Sequence, residues 1–253
     1  MWEELMRALL LGLLLLAGLP AAAAEKFVGG NTDARTTLAF KAPDAAVRKV
    51  LPEGWDVDVA TSGPVKDVNP RLTFIDRLTA YDAEGKALDP TRTTTLSIPA
   101  KKTGSETRGT MLFLIYSSSE GGVPGPYGVS VQANTNMDKR VRIDQAGATT
   151  VDESWELQSQ GGDSIQLQVQ YLRGPTTTGK AEQLMYSAAK PGFYRIYRSE
   201  QARDVVRGPD TDRVKKIDFK ASGPKLGPLF EGAQLIGVIS EPWYTRQTYL
   251  PES

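Results

Sequence analysis

The chain has 253 residues, with 30 Lys and Arg against 30 Asp and Glu, and it contains neither cysteine nor histidine. Without cysteine it has no disulfide, no thiolate nucleophile and no Cys-ligated metal cluster. Without histidine it has no Ser-His-Asp triad, no imidazole base and no haem held by histidine. An enzyme built from this chain must therefore use carboxylates, Lys, Arg, Tyr, hydroxyl groups or backbone amides.

The first 24 residues have the pattern of a secretory signal. An apolar run over residues 9–19 is followed by Pro20 and four alanines ending at Ala24. This order is typical of a signal peptide cleaved after Ala24, and the run is shorter than the roughly 20 apolar residues that span a bilayer. Two acidic residues precede Met6, so we expect the true start to be Met6. An uncleaved N-terminal anchor is the alternative, and the signal predicts a periplasmic or secreted protein.

Residues 25–253 are predicted to form one mainly β (α+β) domain. Residues 165–171 alternate apolar side chains with glutamine, which predicts a strand with one buried and one wet face. Residues 111–116 form a continuous apolar run of strand length. Further strands are predicted at 71–81, 93–98, 127–133, 193–198, 214–219 and 235–239.

Few helices are expected. One is predicted from Asp44 to residue 50, one from Ser199 to residue 206, and a single turn within 224–232. Many strands with two or three short helices fit a single antiparallel β-barrel, because closure removes the exposed edges. A barrel of this size can enclose a cavity for a small ligand.

A lysine amine is the most reactive nucleophile left by the missing His and Cys. Lysines with a lowered pKa form Schiff bases with carbonyl substrates. Lys139 follows an alternating strand, so it is a candidate catalytic residue at the mouth of the barrel. The alternative is a solvated charge cluster, since Asp138 and Arg140 are its neighbours.

Near the C-terminus, Trp243, Tyr244 and Arg246 combine aromatic rings with polar tips, which suits the wall of a ligand cavity. The glycine- and proline-rich segment 121–128 is either a plain connection or a lid over that cavity. No basic stripe with interleaved aromatics indicates nucleic acid, and no acidic run has the spacing of a calcium loop. We predict no metal and no cofactor.

Several short pieces carry a family resemblance. They are Leu51-Pro52-Glu53-Gly54, the Gly125-Pro126-Tyr127 turn, residues 226–232, Leu235-Ile236-Gly237-Val238 and Pro242-Trp243-Tyr244. In these pieces and their order the chain resembles the acetoacetate decarboxylase-like superfamily over three quarters of its length. The resemblance implies a cone-like β-barrel around a polar-lined cavity, often in homo-oligomers, with a Schiff-base lysine acting on keto acids. We expect Tyr127 to bind ligand there together with Trp243, Tyr244 and Arg246.

The resemblance weakens at the catalytic motif. In the family, the lysine follows a Gly-x-Pro-Lys-Lys-like stretch downstream of the Gly-Pro-Tyr turn. Here residues 134–160 contain no proline, Lys139 is their only lysine, and a glutamate expected soon after the tyrosine is missing.

Three functions are therefore compatible with the sequence. The favoured one is an exported barrel that binds a small organic ligand, a carboxylate or keto acid held by an arginine, and has lost decarboxylase activity. The second is a Schiff-base decarboxylase or aldolase-type carbon–carbon lyase that acts on small keto acids, with Lys139 as nucleophile. The third is a structural or assembly partner in an envelope complex. After cleavage of the signal, no stable membrane insertion is expected.

Overall fold

The computed structural model describes residues 25–251, so the predicted signal at 1–24 and the start at Met6 lie outside the described residues. Within that range the chain is mostly β, and no helix is both long and apolar enough to cross a membrane. The elements are β1 (Glu25–Lys41), α1 (Asp44–Arg48), β2 (Trp55–Val57), β3 (Arg71–Asp82), β4 (Ala87–Leu88), β5 (Arg92–Lys102), β6 (Arg108–Ser117), a 3-10 turn (Glu120–Gly122), β7 (Ser130–Ile143), β8 (Thr149–Ser159), β9 (Ser164–Leu172), β10 (Thr177–Ser187), β11 (Tyr194–Gly208), β12 (Thr211–Asp212), β13 (Val214–Ser222), α2 (Gly227–Phe230) and β14 (Gln234–Pro251).

Seven long strands pair in succession, in the order β5, β3, β1, β14, β11, β10 and β6, and the β5–β6 pairing joins the last strand to the first. Most of these pairings are antiparallel. The exception in this circuit is β6 with β10, which is parallel and covers only three residue pairs, Thr110 to Leu112 against Met185 to Ser187. The C-terminal end of β6, Ile115 to Ser117, pairs instead with β7, again in parallel. The predicted antiparallel pairing is therefore found at most strands, and β6 departs from it in its pairings with β10 and β7.

A second, four-stranded sheet of β7, β8, β9 and β13 covers one side of this circuit. The main core lies between the two layers, and Trp155 on β8 packs against Phe74 on β3 with ring centroids 5.3 Å apart. Along β3, Leu72 and Phe74 enter this core, whereas Arg71 and Thr73 point to the opposite side because successive side chains of a strand alternate. One strand thus supplies both an apolar core and a polar inner face.

The predicted strands at 71–81, 93–98, 111–116, 165–171, 193–198, 214–219 and 235–239 are confirmed, as are the start of α1 at Asp44 and the single turn within 224–232. The predicted strand at 127–133 begins only at Ser130, and Tyr127 lies in the preceding turn. The predicted helix at 199–206 is wrong, because this segment is the middle of β11 and pairs with β10 and β14. Backbone hydrogen bonds to the two neighbouring strands stabilise this segment more than the helix N-cap that Ser199 could form.

A buried charge joins the two layers. Glu153 on β8 accepts hydrogen bonds from Thr36 Oγ1 on β1 at 3.0 Å and from Trp155 Nε1 at 2.6 Å. Its carboxylate also lies 2.8 Å from Lys139 Nζ on β7. Removing one partner of such a pair leaves an uncompensated charge in the interior.

We therefore expect Glu153→Ala to lower the free energy of unfolding by about 3–5 kcal/mol. Glu156→Ala is the matched control, because Glu156 lies on the same strand with its side chain exposed, and its effect should stay within about 0.5 kcal/mol. Urea unfolding of the two variants measures both values. Equal effects would contradict the structural role of the Glu153 ion pair.

Candidate ligand-binding cavity

The circuit of seven strands surrounds a cavity of about 720 Å³, a volume in the usual range for small-molecule sites. Side chains from every strand of the circuit line it. Its lining is rich in hydroxyl groups and guanidinium groups, with a smaller apolar part. The principal lining residues are Arg35, Thr37, Arg71, Thr73, Ile75, Arg77, Thr93, Thr95, Ser97, Leu112, Ser117, Tyr127, Met185, Arg195, Tyr197, Gln201, Arg203, Glu241, Tyr244 and Arg246.

One group of arginines lies around Glu241 on β14. Arg203 on β11 donates hydrogen bonds from Nε at 3.1 Å and Nη2 at 2.9 Å to Oε1 of this buried carboxylate. The charges of both members of this pair act on Arg71 of β3. Burial lowers the pKa of Arg71, the charge of Arg203 lowers it further, and Glu241 opposes both effects. This group therefore holds two guanidinium groups against one carboxylate.

A second group is arranged around Asp33 on β1, which is fully buried. Arg35 Nη2 donates to Asp33 Oδ2 at 2.6 Å, and Arg77 Nε lies 3.5 Å from Asp33 Oδ1. The guanidinium of Arg35 also lies over the ring of Tyr244, 3.3 Å from its centroid. Burial lowers the pKa of Arg77, and the nearby positive charge of Arg246 adds to this effect.

Arg246 and Arg195 extend the second group along the tyrosine rings. The guanidinium carbon of Arg246 is 4.1 Å from the centroid of Tyr197, and its Nη2 donates to Asn31 Oδ1 at 2.6 Å. Arg195 lies 5.8 Å from the centroid of Tyr127. Burial acts to lower the pKa of Arg246, yet the pKa is raised overall because Tyr197, Tyr244 and Asp33 favour the charged form.

The cavity has an excess of positive charge. Six arginines line it, and the described residues place two buried carboxylates, Asp33 and Glu241, in ion pairs with them. Within the described chain, the buried Nε atoms of Arg71, Arg77, Arg195 and Arg246 donate no hydrogen bond. The excess of guanidinium groups over carboxylates favours an anion with several acceptor oxygens in this cavity.

Three of the four predicted ligand-binding residues line the cavity: Tyr127, Tyr244 and Arg246. Trp243 does not, and 41% of its surface is exposed. An extra residue in β14 between Glu241 and Tyr244 shifts its register against β1, where Arg35 pairs with Glu241 and Asp33 with Tyr244. Adjacent residues of a strand face opposite sides, so Trp243 and Tyr244 do not share a face. The β-bulge reverses the alternation after Glu241 and thereby puts Tyr244 on the same inner face as Glu241.

Lys139 does not line the cavity; its amine forms an ion pair with Glu153, its cross-strand neighbour in the second sheet. Burial acts to lower the pKa of Lys139, but the negative charge of Glu153 raises it overall. A Schiff-base nucleophile needs the opposite shift. The catalytic role of Lys139 stays a prediction that this geometry does not favour, and within residues 25–251 no lysine lines the cavity.

The segment 121–128 forms part of the cavity wall, since Gly121, Gly122, Pro126 and Tyr127 all line it. This placement is what the lid interpretation requires. Across the part of the chain that the structure describes, no group of three or more acidic side chains comes together as a metal site. Arginine and hydroxyl side chains, rather than metal ligands, thus dominate the cavity.

The fold has known counterparts. One is an acetoacetate decarboxylase-like enzyme from Sphingomonas wittichii RW1, with a TM-score of 0.54, 10% identity and coverage of 94% of this chain and 98% of that one. A second is the enduracididine biosynthesis enzyme MppR complexed with pyruvate, with a TM-score of 0.51, 10% identity and coverage of 91% and 90%. A third is the acetoacetate decarboxylase of Legionella pneumophila, with a TM-score of 0.50, 11% identity and coverage of 94% and 90%.

No protein-family model matches the sequence, and no curated protein matches it significantly by sequence. The structural likenesses show that this chain has the fold of the acetoacetate decarboxylase-like enzymes. The resemblance inferred from the sequence is thereby confirmed at the level of the fold.

The cavity also makes the protein sensitive to alkaline pH through Tyr127. Burial raises the pKa of Tyr127, and the hydrogen bond of 2.7 Å to Tyr197 adds to the shift, while Arg246 and Arg195 oppose it. The folded protein therefore keeps this proton at pH values where the unfolded chain, with a pKa near 10.0, has lost it. The stability linked to this group is complete below pH 10 and falls as the pH rises.

We expect the free energy of unfolding to fall between pH 10 and pH 11 less steeply in Tyr127→Phe than in the wild type. A fully shifted group contributes a slope of about 1.4 kcal/mol per pH unit. Tyr81→Phe, at an exposed tyrosine, is the control and should keep the wild-type slope. Denaturant unfolding at several pH values gives these slopes, and an unchanged slope in Tyr127→Phe would contradict the expectation.

Proposed function

We propose that this chain is an exported β-barrel protein that binds a small organic carboxylate or keto acid in the arginine-lined cavity and has lost decarboxylase activity. The closed circuit of seven strand pairings is the barrel in this proposal. The observation that carries it is the set of six cavity arginines against two buried, ion-paired carboxylates. Export rests on the apolar run and small residues of 1–24, and a homo-oligomeric state stays a prediction.

Arginine suits this role for a physical reason. Its planar guanidinium forms paired hydrogen bonds with a carboxylate and stays charged when it is partly buried. Hydroxyl groups of Thr37, Thr73 and Thr95 add neutral donors and acceptors nearby. Among proteins of the same fold, MppR is seen with pyruvate, a small keto acid, which supports a ligand of this size and chemistry here.

Among the described residues no lysine amine lines the cavity, and this supports the loss of decarboxylase activity. Schiff-base chemistry needs a lysine that reaches the bound carbonyl group, and Lys139 is instead held by Glu153 between the two sheets. Its raised pKa keeps it protonated and therefore poorly nucleophilic. Binding without carbon–carbon cleavage is the function that these groups favour.

Binding can be tested on the mature protein with pyruvate, acetoacetate, succinate and citrate by isothermal titration calorimetry. We expect at least one of these acids to bind, and Arg246→Gln to weaken that binding about 10- to 100-fold, because a hydrogen bond to a charged group contributes about 1.5–3 kcal/mol. Arg140→Gln is the matched control, since Arg140 is exposed on the second sheet. If none of the acids binds to folded wild-type protein, the proposal fails.

The Schiff-base alternative has its own test. Borohydride reduction in the presence of the same keto acids should give no stable adduct, because within residues 25–251 no lysine lines the cavity. Intact and peptide mass spectrometry reads the result. A reduced adduct on Lys139 in the wild type, absent from Lys139→Met, would establish the lyase reading instead.

A further inference from the structure

The cavity is charged on one side. The arginines of its lining lie on β3, β1, β14 and β11, which are consecutive neighbours in the circuit. They are Arg35, Arg71, Arg77, Arg195, Arg203 and Arg246. Arg35 pairs with Ile75 on β3 and with Glu241 on β14, so the charged side chains continue from one strand to the next. We name the inner faces of these four strands the cationic wall.

The other side of the circuit is formed by β5, β6 and β10, and we name its inner face the uncharged wall. Within the described residues, these strands contribute only threonine, serine, glutamine and apolar side chains to the lining. Strand β6 is three strands away from both β1 and β14 around the circuit, so it lies opposite the cationic wall. Asp89, which also lines the cavity, belongs to the exposed loop between β4 and β5.

The uncharged wall carries an apolar patch, which consists of Leu112 and Ile115 on β6 and Met185 on β10. Leu112 and Met185 form a hydrophobic cluster with the rings of Tyr127 and Tyr197, and Ile115 packs against it. This cluster is separate from the main core, and its four members all line the cavity. An apolar ligand group that replaces water on such a surface gains hydrophobic free energy.

The two walls meet between β10 and β11. Met185 pairs directly with Arg195, whose guanidinium carbon lies 5.8 Å from the centroid of the Tyr127 ring. Within residues 25–251 the Arg195 side chain forms no ion pair and no hydrogen bond, and Nε is its only nitrogen that is buried without a partner. The two Nη atoms of Arg195 therefore keep accessible surface, and they can donate to a carboxylate beside the apolar patch.

From these observations we infer that the ligand is an amphipathic acid. Its carboxylate lies on the cationic wall near Arg195, and its apolar substituent, a branched aliphatic chain or an aromatic ring, lies on Leu112, Ile115 and Met185. This inference rests on the proposed function and narrows it to a substrate class. A very small acid leaves the apolar patch uncovered, and a second carboxylate placed there loses its water without gaining a partner.

The probes share a 2-keto acid group and differ in the substituent. In 4-methyl-2-oxopentanoate and phenylpyruvate the substituent is apolar, in pyruvate it is a methyl group, and in 2-oxoglutarate it ends in a second carboxylate. Calorimetry should show at least one apolar acid binding to the wild type about 10-fold or more tightly than pyruvate and 2-oxoglutarate. The neutral ketone 4-methylpentan-2-one should bind about 10-fold or more weakly than 4-methyl-2-oxopentanoate, because it lacks the carboxylate.

Variants test the two walls separately. Ile115→Thr and Met185→Gln make the apolar patch polar with little change in side-chain size, and at least one of them should lower the preference for the best apolar acid over pyruvate. Arg195→Gln should weaken both acids by about 10-fold and leave that preference unchanged. Val141→Thr, at an exposed residue of the second sheet, is the control for the apolar patch. Thermal unfolding shows whether each variant is folded.

The outcomes separate this inference from the proposal on which it rests. Equal affinity for pyruvate and the apolar acids, or 2-oxoglutarate that binds as tightly as the best apolar acid, would overturn the amphipathic ligand and leave carboxylate binding intact. An unchanged preference in both Ile115→Thr and Met185→Gln would also overturn it. If no acid binds to folded wild-type protein, both fail together.

Discussion

Repulsion among like charges is the constraint on which this molecule depends. Six guanidinium groups face one enclosed space, and burial together with neighbouring positive charge lowers the pKa values of Arg71 and Arg77. Buried charges of like sign do not stabilise a fold by themselves. Asp33, Glu241 and the faces of Tyr197 and Tyr244 offset part of the repulsion. The rest must be offset by packing elsewhere.

That packing is supplied by the outer side of the same strands. Leu72, Phe74 and Leu96 point away from the cavity and form the main core with Trp155 and its neighbours on the second sheet. The four-stranded sheet is thus more than an addition to the circuit. It provides the apolar contact that allows charged side chains to occupy the inner face. Glu153, paired with Lys139 in its own sheet, joins the two layers through its hydrogen bond from Thr36 on β1. Because side chains alternate along each strand, the residues that form the core differ from the residues that line the cavity.

Much of this architecture could be predicted from the sequence, because the strands with clear alternation or apolar runs are local signals. The arginine cavity could not, since it is assembled from strands distant in the chain. A signal was nevertheless present in the Arg71, Thr73, Ile75, Arg77 row, whose period of two places all four on one face. The predicted helix at 199–206 hid a similar row on β11, with Gln201 and Arg203 facing the cavity. Alternation alone excludes Trp243 and Tyr244 from one face, but which of the two faces the cavity depends on a β-bulge that residue types do not reveal.

This chain shares its fold with enzymes to which it is only 10% identical in sequence, and proteins with the same fold can differ in their chemistry. The alternation along β3 and β5 has a consequence for how such divergence proceeds. Odd-numbered residues from 71 to 77 and from 93 to 97 face the cavity, while Leu72, Phe74 and Leu96 between them belong to the core. Selection on ligand recognition and selection on folding therefore act on different positions of the same strands. A lineage can exchange the groups that touch its ligand in small steps while its interior remains unchanged, so related chains should vary in period two.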